Sequence, residues 1–184
     1  MFLKNLIAIT LFALPLSACT SNAPISYNTT AWKYAPSGNI EKPELIVDER
    51  SYKLGGIGAF GELVNIGIKK LALSAASLPE DMDAIIDEAK NVAKRNNVEI
   101  YREDDFLVTD LFPASATEGK HVLLIYQGET KQEYLDLKVQ KEQLIESNQY
   151  TDKARKEIAR RFGEMLSYPE WKIDELISSN VGCL

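Results

Sequence analysis

Apolar residues form a nearly unbroken run over residues 6–16, give way to a polar stretch without period up to residue 43, and then recur in short patterned segments. Leu45, Ile46 and Val47 together predict a first strand over residues 44–52. Residues 63–73 are largely apolar around Lys69 and Lys70, and read equally as a strand or a short helix, because periodicity does not arbitrate so short a run. A helix is predicted from Pro79, with Glu80, Asp81 and Asp83 in the first turn, where the helix dipole favours acids. Met82, Ile85, Ile86, Ala89 and Ala93 are spaced as its apolar face, and Asn96-Asn97 closes it.

Strands are predicted over residues 98–101 and over residues 106–112, where Pro113 ends the run, with a loop at 114–120. Residues 121–126 are apolar without alternation, the pattern of a strand buried on both faces, and this is the expected central strand. The last third is helical. Residues 129–147 carry both periods, and their good helix formers favour helix. Thr151 caps the next helix, whose face is Ala154, Ile158, Phe162, Met165 and Leu166, and Pro169 starts a last short helix carrying Trp171, Leu176 and Ile177. The expected fold is one α/β or α+β domain over residues 44–184: a small mixed sheet with packed helices and a helical C-terminal third.

The opening run has one positive charge, Lys4, before it, and ends in Leu16-Ser17-Ala18-Cys19. It is too short to span a bilayer comfortably, which takes roughly 20 residues, and has the layout of a processed signal. Leu-Ser-Ala-Cys resembles the lipobox of bacterial lipoproteins. The resemblance implies cleavage after Ala18, so that residues 1–18 are a signal peptide, and thioether lipidation of Cys19. Acyl chains contribute roughly 0.8 kcal/mol per buried methylene, so several chains on one cysteine hold a protein on a membrane. Thr20 stands where an Asp commonly marks inner-membrane retention, which implies an outer-membrane protein facing the periplasm if the source is Gram-negative. Residues 19–43, rich in Ser, Asn, Thr, Pro and Gly, are then the lipidated N-terminus and a flexible tether. Tyr27, Trp32 and Tyr34 are its aromatics, placed to pack on the domain or to dock a partner.

The 184 residues hold 21 Lys plus Arg and 27 Asp plus Glu, a formal charge of -6 that becomes -7 once Lys4 is removed with the signal. So acidic a chain argues against nucleic acid, whose binding depends on neutralising phosphates, and against broad spreading on anionic lipid. With Cys19 lipidated, Cys183 is the remaining cysteine and no intramolecular disulfide forms. Gly56, Gly58 and Gly61 meet a G-x-G-x-x-G spacing, but Asp48, Glu49, Arg50, Ser51 and Lys53 interrupt the approach, and the stretch Gly55 to Gly61 is expected to be a turn or close-packed backbone rather than a nucleotide cradle.

His121 is the single histidine, so zinc sites built on two or three are excluded. It is also the one imidazole base available to a Ser or Cys nucleophile, and it is expected to be structural or at the surface. The sharper chemical candidates are Glu103, Asp104, Asp105 and Asp110. If the strands at Val98 and Val122 run parallel, the first three approach Gln127 and Glu129, and the set holds Mg²⁺ or Ca²⁺ through oxygen ligands or supplies an acid and a base for glycan cleavage. A solvated turn is the plainer account of the same residues. No cofactor is required. Lys153, Lys156, Arg160 and Arg161 lie opposite the apolar face of their helix among Glu157 and Glu164, the pattern of a salt-bridged solvated face. The leading expectation is an envelope lipoprotein that binds a partner protein or cell-wall component without catalysis; the alternative is a tethered hydrolase using residues 103–110.

Overall fold

The computed structural model describes residues 48–112 and 114–180. In chain order they form α1 (Glu49–Asn65), β1 (Leu71–Leu73), α2 (Pro79–Arg95), β2 (Glu99–Glu103), one 3-10 turn (Ala114–Ala116), β3 (Val122–Tyr126), α3 (Thr130–Glu146), α4 (Asp152–Met165) and α5 (Glu170–Ser179). The strands make one sheet in the order β1-β3-β2. Both ladders are antiparallel: Leu71 faces Tyr126 across one edge of β3, while Glu99 faces Tyr126 and Glu103 faces Val122 across the other. The fold is therefore α+β, with the helical C-terminal third and central β3 that the sequence pattern predicts, and the sheet expected to be mixed is antiparallel throughout.

The burial of β3 follows from its position. Successive strand side chains point to opposite faces, and each face of this sheet is covered. Leu123 and Ile125 join Ile57 and Val64 of α1 and Met82, Ile85 and Ala89 of α2 in one core. Val122, Leu124 and Tyr126 join Tyr134 and Leu137 of α3, Ile158 and Phe162 of α4, and Ile173 of α5 in the other. A fully buried Leu or Ile contributes about 1.5–3 kcal/mol, and every residue of β3 is buried. Phe162 centres the second core, its ring 5.7 Å from Phe106, 6.2 Å from Phe112 and 5.8 Å from Tyr134.

Three expectations are corrected. Over the described part of residues 44–52 the chain is helical: Asp48 caps α1, accepting from the Arg50 amide at 3.2 Å and the Ser51 hydroxyl at 2.6 Å. That helix runs straight through the glycines, because Leu54, Ile57, Gly61 and Val64 recur at helical spacing against the sheet and α2. Residues 63–73 divide into the end of α1, a turn and β1. Residues 106–112 are not a strand. Phe106, Leu107 and Leu111 are buried there, but the backbone is satisfied from α3, from within the segment and from Asn180 instead of by a sheet ladder. The Leu107 amide donates to the Tyr134 hydroxyl at 2.9 Å, and Lys141 donates to the Val108 carbonyl at 2.7 Å.

In the C-terminal third, Thr151 caps α4 by accepting from the Ala154 amide at 3.4 Å. The tightest helix contact is between α4 and α5, where a Cβ placed on Gly163 would lie 2.7 Å from Ile173 Cγ1. Trp171 of α5 points outward and is 68% exposed.

Candidate functional site

Glu103 ends β2 and is 2% exposed; Asp110, in the turn before Leu111, is 1% exposed. Asp104 is exposed at the turn after β2, as is Asp105. The antiparallel ladder separates this group from Gln127 and Glu129: Gln127 lies at the opposite end of β2, donating to the Asn97 carbonyl at 2.6 Å. The carboxylates are drawn instead to two cations. Lys138 of α3 sits 3.1 Å from Glu103 Oε1 and 3.1 Å from Asp105 Oδ2, while Arg155 of α4 donates to Asp110 Oδ1 at 2.7 Å. Burial opposes the Lys138 charge, but hydrogen bonds to Glu103 and Asp105 outweigh it and raise the ammonium's pKa above its ordinary value. The Asp110 hydrogen bond likewise raises Arg155.

Buried charges in such pairs cost several kcal/mol to desolvate, and the pair repays this only with good geometry. Here the pairs fasten the irregular segment 103–110 onto α3 and α4. Glu103 Oε2, Asp110 Oδ2, the Tyr150 hydroxyl and Arg155 Nε are buried without a hydrogen-bond partner among the described residues. Burial, with the Asp110 charge adding to it, raises the Tyr150 hydroxyl pKa. Among the described residues, no three His, Cys, Asp or Glu side chains converge as a metal-binding group.

His121 precedes β3 and pairs through its backbone with Ser77, the Ser77 amide donating at 3.0 Å and the His121 amide returning at 2.8 Å. Arg102 of β2 donates from Nε to His121 Nδ1 at 2.7 Å and also reaches Asp83 and the Pro79 carbonyl. A guanidinium only donates, so Nδ1 is the acceptor and the neutral imidazole carries its proton on Nε2. That tautomer leaves no free acceptor with which to activate Ser77. His121 is thus a fixed structural acceptor, in keeping with its expected role.

A second place emerges from residues that sequence reasoning had set aside. A groove of about 440 Å³, predominantly apolar, lies between α1, the β1–α2 connection and α2. Ile57, Phe60, Met82 and Ile85 form its apolar wall, and Gly55 and Gly56 its bare flank. A Cβ placed on either glycine meets no atom of the described residues within 4 Å, whereas one on Gly61 would lie 3.1 Å from Asn96 Cβ. Gly61 is therefore the close-packed backbone that was expected, and Gly55 and Gly56 have no packing reason among the described residues. Interior helical glycine costs roughly 0.5–1 kcal/mol relative to alanine, so the run of glycines is a signal the sequence carries, but one legible only once the stretch is seen to be helical. Lys53 also lines the groove and donates to Asp81 at 3.2 Å.

The basic cluster of α4 is largely engaged by acids and amides. Lys156 lies 2.8 Å from Asp152, Arg160 lies 2.7 Å from Asp174, and Arg161 donates to Gln140 of α3 rather than pairing with Glu157. Cys19, Cys183, the signal and the tether aromatics Tyr27, Trp32 and Tyr34 lie outside the described residues. No helix among the described residues is long and apolar enough to cross a membrane. No family model, curated protein or solved structure matches the chain.

Proposed function

We propose that this chain is a lipid-anchored envelope protein, held to the membrane through Cys19, whose folded domain is a non-catalytic binding module for an envelope component. The observation that carries the reading is the groove: a preformed apolar concavity of about 440 Å³, within the roughly 300–1,000 Å³ of small-molecule and side-chain sites. Its flank bears two helix-interior glycines that the packing of the described residues does not require. Supporting it, Glu103, Asp105 and Asp110 are engaged by Lys138 and Arg155. The lipobox supplies the anchor, and an outer-membrane position facing the periplasm follows from Thr20 in a source with two membranes.

The test is photocrosslinking in intact envelopes from the full chain with benzoylphenylalanine at Tyr52, which lines the groove and is 72% exposed. A discrete adduct is expected from the anchored protein and not from Cys19→Ala. Equal adduct patterns from Tyr52 and from a probe at exposed Lys153 on α4 would overturn the reading.

A further inference from the structure

Resting on that reading, we infer that the groove binds a single acyl chain carrying an anionic head group, the chain lying along Gly55 and Gly56 and the head meeting Lys53 and Ser77. The dimensions suit a chain: about 440 Å³ lies in the range of small-molecule sites, and the groove is elongated by its lining from Ser51 to Phe60 along α1. The lining suits one too, because the wall is aliphatic and aromatic and the missing β-carbons at Gly55 and Gly56 let a flexible chain lie against the helix backbone.

The polar end of the groove is equally specific. Ser77 is only 5% exposed, its amide and carbonyl are paired with those of His121, and it lines the groove. Its hydroxyl can donate to an acceptor brought in by a ligand. Lys53 uses one of its three donors on Asp81, and its ammonium complements a carboxylate or phosphate. A chain with a neutral head would fill the apolar part and leave this end unmatched. The head is common to fatty acids and lysophospholipids, so the assay separates the two.

The experiment adds photoactivatable diazirine probes to isolated envelopes containing the full chain, in three arms: a fatty acid, a lysophospholipid and a fatty alcohol of the same length. Adducts of the two anionic probes are expected on peptides from α1 and the start of α2, competed by the unlabelled amphiphile. Whichever anionic arm labels more strongly identifies the source. Gly56→Leu, which fills the flank, should lower labelling about tenfold, and Lys53→Gln should lower the anionic arms about tenfold while sparing the alcohol. Labelling spread over exposed apolar residues such as Trp171 and Ile68, indifferent to Gly56→Leu, would overturn the inference. If the Tyr52 adduct is abolished by Gly56→Leu while no acyl probe labels the groove, the occupant is wrong and the binding module stands.

Discussion

The Lys138 ammonium on α3 and the Glu103 carboxylate at the end of β2 lie 3.1 Å apart, 35 residues distant in sequence, with both side chains largely withdrawn from solvent. The same ammonium holds Asp105, so one lysine fixes the whole turn after β2. Lys138→Met is expected to destabilise the domain by about 3–5 kcal/mol, because it leaves Glu103 buried and uncompensated. Adding Glu103→Gln to Lys138→Met should recover part of that loss, and a double-mutant cycle by urea denaturation measures the coupling.

The pair also sets an alkaline limit. Its folded-state pKa lies above the ordinary lysine value of 10.5, so its contribution is fully present below 10.5 and is lost as pH rises through the higher folded value. Lys69 and Lys141, lowered by burial, act in the opposite sense, relieving their cost as pH climbs towards 10.5. The stability gap between wild type and Lys138→Met should therefore stay constant from neutral pH up to the lysine range and narrow only above it. A gap that closes between pH 7 and 9 would contradict this assignment.

Glycine-to-alanine substitution should change sign along the chain. At Gly163 the new Cβ would fall 2.7 Å from Ile173 Cγ1, and overpacking of about 1–3 kcal/mol outweighs the gain in helix propensity. Gly163→Ala is expected to lower the Tm, read by thermal melts beside wild type. At Gly56, where the Cβ meets open space, alanine should stabilise by roughly 0.5–1 kcal/mol.

Tyr150→Phe removes a hydroxyl that is buried without a partner among the described residues, near Asp110 and Arg155. Replacing an unsatisfied group with hydrogen of similar shape should be neutral or stabilising by up to about 1 kcal/mol. Arg155→Met at the same place should instead destabilise by about 3–5 kcal/mol, since it strands Asp110. Thermal melts of the two variants, side by side, test the contrast.

What could be read from the sequence depended on how far each element answers to its own residues. The helix from Pro79, the Thr151 cap and the doubly buried β3 carry their signals locally, in spacing, capping chemistry and an unbroken apolar run. Residues 106–112 misled because they are as apolar as a strand, and it is hydrogen bonds with the Tyr134 hydroxyl, Lys141 and Asn180, together with Thr109 within the segment, that let that backbone do without a ladder. The glycines of α1 misled in the other direction: their low helix propensity conceals a spacing, Ile57 to Gly61 to Val64, that tertiary packing exploits. At the acidic turn, the residues were legible and their arrangement was not. Antiparallel pairing of β2 with β3 and the cations Lys138 and Arg155 decide what those carboxylates can do, and both are long-range facts.

The central claim is that the flank of α1 at Gly55 and Gly56 is kept bare for a bound component rather than for the fold. The most direct measurement takes Gly56→Leu in the full chain and records both its Tm and the Tyr52 photoadduct in intact envelopes. The account predicts a Tm equal to or above wild type together with loss of the adduct. An adduct at wild-type yield in a folded Gly56→Leu protein would contradict it.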